Sequence, residues 1–203
     1  MNAAPQGSPR KPLAILACGA LAREVRSLVW ERRWDADLHT APALNHLSPK
    51  LIASDVDRRL DDLETRYERV VVVYGDCGTG GALDRVLTKH GAVRTVGPHC
   101  YEMFGGEEVG DALRDRPATF FLTDWLVRNW DRAVVTGLGI GRFPFLKDTY
   151  FEHLTHVLYL RQEPDPALEA KARGIAEFLG LPLEIREVGL GDLERRLIEL
   201  VEQ

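Results

Sequence analysis

Four times along this chain a short apolar run breaks at a glycine turn: residues 13–18 before Gly19, 70–74 before Gly75, 93–96 before Gly97, and 133–136 before Gly137. Consecutive β-branched residues such as Val70, Val71, Val72 and Val73 suit a strand buried on both faces, the kind found in parallel sheets covered by helices. The segments between the runs carry apolar residues at helical spacing, as with Val25, Leu28 and Val29. Strand, glycine turn and helix in alternation predict an α/β fold: a Rossmann-like, open, mostly parallel sheet with helices on both faces. Loops following parallel strands share one edge, where ligands collect.

The spacing further predicts helices over 20–34, 48–67, 83–90, 125–130, 165–179 and 192–201, and strands over 37–42, 119–123 and 183–188. Residues 153–160 suit either state. Residues 1–12, rich in Pro, Gly and Ser, read as a disordered tail, and 13–203 as a single α/β domain or two lobes divided near 105–118. A chain of 203 residues can bury a core of that size.

A net charge of −5 argues against nonspecific binding to nucleic acid or an anionic membrane surface. No apolar run reaches the ~20 residues of a membrane span, and the first residues have no signal-peptide core, so the expected setting is the cytoplasm. A small-molecule substrate is the expected partner.

The chain has three cysteines, and each falls in one of the strand-end turns: Cys18 before Gly19, Cys77 within Gly75-Asp76-Cys77-Gly78, and Cys100 after Gly97-Pro98-His99. An odd count without an export signal argues against a disulfide framework. Thiols near helix starts have a lowered pKa from free N–H groups and the helix dipole. Three such thiolates at one rim would hold an iron–sulfur cluster with one coordination site left open. Zinc, bound by the three sulfurs with or without His99, is the rival. Against structural zinc stands the wide spacing, with no Cys-x-x-Cys pair. Burial as small hydrophobes is the bland alternative, and a metal-free module cradling a small ligand is the third functional reading.

Around the cysteines, Asp76, His99 and Glu102 are candidate acid–base groups, each with a plainer role as turn former or helix-start residue. Gly19 and Gly78 allow close backbone approach to a cofactor. Gly137, Gly139 and Arg142 in Thr-Gly-Leu-Gly-Ile-Gly-Arg suggest an anion cradle. That spacing matches neither Gly-x-Gly-x-x-Gly nor a Walker loop. His39 sits at a possible strand end. Tyr101, Phe104, Trp125 and Trp130 suit an aromatic wall, or core.

Cys18-Gly19, Tyr74-Gly75-Asp76-Cys77-Gly78, His99-Cys100 followed by Met103-Phe104-Gly105, the block from Phe120 to Trp125, the segment from Ile175 to Leu181, and Val188-Gly189 together resemble the prokaryotic domain-of-unknown-function family 1638. The resemblance spans nearly the whole chain after the tail. In this chain His99 stands directly before Cys100, where the family's usual order is His-Asp-Cys. The resemblance implies recurrent cysteines in these blocks and frequent encoding near corrinoid-dependent methyltransferases of one-carbon metabolism. It therefore lends the zinc reading a methyl-transfer role, as an enzyme or accessory factor beside a corrinoid system. The cluster reading points instead to lyase- or hydrolase-type chemistry on a small molecule.

Overall fold

The computed structural model describes residues 11–115 and 118–203. The chain runs β1 (Lys11–Cys18), α1 (Ala22–Glu31), β2 (Asp37–Ala41), a 3-10 helix (Ala43–Leu47), α2 (Lys50–Leu63), β3 (Tyr67–Val73), α3 (Ala82–His90), β4 (Val93–Arg94) and α4 (Cys100–Asp115). It continues through β5 (Thr119–Thr123), α5 (Asp124–Arg128), a π-helical turn (Asp131–Thr136), α6 (Leu146–Phe151), β6 (His156–Arg161), α7 (Pro166–Leu179), β7 (Leu183–Glu187) and α8 (Asp192–Val201).

The parallel α/β alternation holds, with the strands divided between two sheets. The first has the order β2-β1-β3-β4 and the second β5-β6-β7, and every pairing given for them is parallel. In the first, Ile15 of β1 lies between Leu38 of β2 and Val71 of β3, so β1 and β3 form its buried centre. Six consecutive residues of β1, Leu13 to Cys18, are buried, and each large aliphatic side chain so enclosed contributes about 1.5–3 kcal/mol.

Helix α4 connects the two cores. Its first turns place Met103 and Phe104 in the first core, and beyond a break at Gly106 Val109 packs with Phe121, Leu158 and Leu160 of the second sheet. Helix α8 then returns to the first core through Leu193 and Leu197. The lobe break expected near 105–118 falls on the second half of α4, with residues 116–117 outside the described ones. The paired glycines Gly105-Gly106 lower helix propensity enough to mask α4 in the sequence.

Three expectations are corrected. Residues 133–136 form the π-helical turn rather than a strand. Trp130, Ala133 and Val134 recur at helical spacing and bury into the second core, and that packing overrides β propensity. The strand expected over 93–96 ends at Arg94, because the Thr95 side chain turns back to accept the Tyr74 N–H (3.2 Å). Lys11 and Pro12 belong to β1, not to a tail, while the rest of that expected tail, 1–10, lies outside the described residues. Among the described residues no helix is long and apolar enough to cross a membrane.

Candidate functional site

In the first sheet the chain leaves β1 toward β2 on one side and reaches β3 on the other, which opens a crevice beyond the carboxyl ends of β1 and β3. Cys18 is the last residue of β1 and Cys77 lies in the turn after β3. Cys100, the first residue of α4, is brought in by backbone bonds between two turns: Asp76 N–H to Gly97 C=O (3.2 Å) and Cys77 N–H to Pro98 C=O (2.8 Å). Gly75 permits this approach, since a Cβ there would stand 3.0 Å from the His99 N and Cα. Cys77 itself adopts φ +50°, a left-handed conformation that a non-glycine residue holds only when its surroundings impose it.

The three thiols interact electrostatically. Burial pushes each of them up, Cys77 to about 12 and Cys100 well above the ordinary thiol value, and the Cys18 and Cys77 charges raise Cys100 further. Backbone N–H groups oppose this: Ala20 donates to the Cys18 sulfur at 3.4 Å, while those of Cys100 and Gly75 lower Cys77. The lowered thiol pKa expected at helix starts is therefore corrected, because desolvation outweighs the helix terminus when no cation faces the sulfur.

Two residues that the sequence did not single out complete the rim. Tyr74, fully buried, turns its hydroxyl toward Cys18, yet that oxygen has no well-formed hydrogen bond among the described residues. Burial and the neighbouring thiols raise its pKa. His46, in the 3-10 helix after β2, stacks on the Tyr74 ring (5.9 Å between centroids, 10° between planes) and donates Nδ1–H to the Ala43 carbonyl at 2.7 Å. Burial pushes its pKa down. The available signal for His46 was its place in a strand-end loop of the same edge.

A cavity of about 330 Å³ opens beside the rim, between the two sheets. His46 and Cys100 line it from one side; Phe120, Thr123, Trp125 and Leu138 line it from the other. Cys100 is thus sunk below the surface yet open to the cavity. A larger open groove of 590 Å³ borders Tyr67, Arg69 and His90 at the opposite, amino-terminal end of the strands, away from the thiols.

The remaining candidates scatter. Asp76 accepts from Thr79 Oγ (2.5 Å), Gly81 N–H (2.9 Å) and Gly80 N–H (3.2 Å), bonds that lower its pKa and make it a turn former before α3. Glu102 turns to α8, where Arg196 Nη2 lies at 3.4 Å. The His99 ring lies 6.3 Å from that of Tyr101, which lines the cavity, so His99 stays near the cleft. Gly19 donates to Ala41 C=O (2.8 Å) and joins the ends of β1 and β2, while Gly78 packs on Pro49.

The anion cradle is corrected. The N–H groups of Gly137, Leu138, Gly139, Gly141 and Arg142 already bond to nearby carbonyls, and the Arg142 guanidinium sits over Phe143 at 5.0 Å. His39 is held by Tyr67 (3.0 Å), which in turn donates to Asp37. Of the aromatic residues, Tyr101 and Trp125 line the cavity, and Phe104 and Trp130 belong to the cores.

Among the described residues no group of three or more His, Cys, Asp and Glu side chains is placed to hold a metal ion. Zinc, with Zn–S bonds of about 2.3 Å, needs its sulfurs gathered tightly around one centre. A thiophilic group larger than one ion would draw on three sulfurs at one edge, the Ala20 N–H directed at Cys18, and the Tyr74 hydroxyl turned toward Cys18.

No curated protein and no solved structure matches the chain. A family model described as "Protein of unknown function (DUF1638)" matches residues 41–197. That span is shorter than the resemblance suggested: it takes in Cys77 and Cys100 and leaves out β1 with Cys18. On a match of this extent, the chain belongs to the domain-of-unknown-function family 1638.

Proposed function

We propose that Cys18, Cys77 and Cys100 hold an iron–sulfur cluster with one open coordination site, and that the protein acts on a small molecule bound in the adjoining cleft. The observation that carries this reading is the placement of three cysteines at the carboxyl end of one sheet: Cys18 closes β1, Cys77 lies in the turn after β3, and the bond from Cys77 N–H to Pro98 C=O (2.8 Å) draws the turn of Cys100 beside it. Such a cluster supplies Lewis-acid chemistry at its open iron. Around it, the N–H groups of Ala20, Gly75 and Cys100 stabilise thiolate, the Tyr74 hydroxyl offers Cys18 a donor, and the apolar cleft wall excludes water. Free thiols at such a site suit the reducing cytoplasm. The zinc-thiolate alternative, and with it methyl transfer beside a corrinoid protein, would draw on the same three cysteines, with or without His99.

Anaerobic reconstitution with iron and sulfide tests the reading. Broad visible absorption with bound iron and sulfide is expected, and Cys18→Ser, Cys77→Ser and Cys100→Ser should each abolish most of it, because ligands of one centre fail together. Stoichiometric zinc in the purified protein would replace the cluster by the alternative. A folded protein that takes up neither metal would leave a metal-free ligand-binding module.

A further inference from the structure

The wall of the cleft is mostly apolar, and the side chains with polar atoms that interrupt it are His46, Cys100, Tyr101, Thr123 and Trp125. Thr123 is already engaged, its hydroxyl accepting the Leu126 N–H at 3.4 Å to cap α5. Cys100 belongs to the thiol rim. His46 is the one imidazole among them.

Its tautomer follows from its partner. A carbonyl oxygen only accepts, so the 2.7 Å contact with Ala43 puts a proton on Nδ1. Burial favours the neutral ring, which leaves Nε2 as a lone pair, and among the described residues Nε2 has no hydrogen-bond partner. The ring cannot easily turn away, being stacked on buried Tyr74. A fixed nitrogen acceptor thus sits in a mostly apolar cavity with no donor to it among the described residues, its ring against buried Tyr74, whose hydroxyl turns toward Cys18.

We infer that His46 Nε2 is the acceptor that fixes the ligand of this cleft, and that the ligand is a small, flat, mostly apolar molecule presenting one O–H or N–H donor. The body of such a molecule suits a wall built from Phe120, Trp125 and Leu138, with its donor end on the His46 side beside Cys100. An anionic ligand is disfavoured, since an unprotonated nitrogen repels it and a mostly apolar wall solvates a charge poorly. The assignment rests on the reading of this cleft as the substrate site of the cysteine rim.

The test uses the full chain, labelled with 15N, and three probes of similar size: phenol, anisole and benzoate. Long-range proton–nitrogen correlation should show His46 protonated on Nδ1 and bare on Nε2, and phenol should shift the Nε2 resonance. Phenol should bind about tenfold tighter than anisole, the worth of one sheltered hydrogen bond, and benzoate should bind more weakly than either. His46→Phe should bring phenol and anisole level, and His46→Gln, which retains an acceptor, should restore part of the preference. A proton on Nε2, equal binding of phenol and anisole to the wild-type protein, preference for benzoate, or no binding of any probe would each overturn the inference. The wild-type outcomes decide even if a variant fails to fold. Iron and sulfide content of the same preparation separates the two readings. Phenol preference without cluster uptake removes the cluster and keeps the role of His46; cluster uptake without discrimination does the reverse.

Discussion

The two sheets are built alike and finished differently. In the second, the strands follow chain order, β5-β6-β7, so its carboxyl edge has no point where the connections diverge. That edge is closed by Asp124, almost fully buried. Its carboxylate accepts from Tyr159 Oη (2.7 Å), Gln162 N–H (3.1 Å) and Glu163 N–H (3.2 Å), while its own N–H donates to the Gln162 side chain (2.7 Å). In the first sheet the connections diverge between β1 and β3, and the rim there carries three thiols and a buried Tyr74 hydroxyl that turns toward Cys18. Nearby on α1, Glu24 is buried, and one of its carboxylate oxygens has no partner among the described residues; burial, and then Asp124, raise its pKa. The second edge gathers most of its polar groups into internal bonds around Asp124, although Arg161 Nε at the end of β6 is buried without a partner among the described residues. The other leaves them for something else.

The sharpest way to break this contrast is to open the closed edge. Asp124→Ala should cost about 3–5 kcal/mol in urea denaturation, because it strands a buried hydroxyl and two backbone N–H groups. Iron uptake per folded molecule should be unchanged. A loss of iron out of proportion to stability would show that the second edge is part of the site.

Two glycines sharpen the comparison at smaller cost. Gly137→Ala would drive a Cβ to 2.4 Å from the Ala133 carbonyl, and Gly75→Ala to 3.0 Å from the His99 backbone. Each should cost about 1–3 kcal/mol. Only Gly75→Ala should also impair cluster assembly, since it pushes the Cys100 turn away from Cys77; equal metal uptake in the two variants would argue against a shared thiol site.

A weaker effect belongs to the opposite end of the first sheet. His90 Nδ1 and Nε2 each lie 2.8 Å from a carboxylate, of Glu64 and Asp57. Burial alone would lower its pKa, but the hydrogen bonds to Asp57 and then Glu64 outweigh it and leave a net rise above 6.5. The stabilisation is therefore complete below about pH 6.5, the unfolded value, and fades as pH climbs through the higher folded-state value. Melting curves of wild type and His90→Gln should converge as pH rises; a gap independent of pH would mean that the imidazolium is not the stabilising form. The smallest effect is expected at the exposed pair between Arg23 and Glu163 (2.6 Å), where Arg23→Ala should change stability by less than about 1 kcal/mol.

Much of the architecture was legible because the local signals agree with the packing. The valines of β3 fill a strand buried at the sheet centre, and α7 begins at the Asp165 cap and ends at left-handed Gly180 as its pattern predicts. The cysteine rim was legible because each thiol follows a strand, and parallel strands deliver their following loops to one edge. Asp76 and Glu102 take their plainer roles, turn former and helix-start residue, for the opposite reason. Beside a cysteine in sequence, their carboxylates face away from it, toward the Gly80 and Gly81 amides and toward Arg196.

Alternation of strand and helix, and the three cysteine turns, were properties of the sequence alone, since period and turn chemistry act over a few residues. The division into two sheets, the helical course of residues 131–136, the closed edge at Asp124 and the free nitrogen of His46 were decided by tertiary structure. Each depends on a partner distant along the chain, whether a β-strand to pair with, a carbonyl to bond, or a ring to stack on. Local sequence does not encode which of those partners arrives.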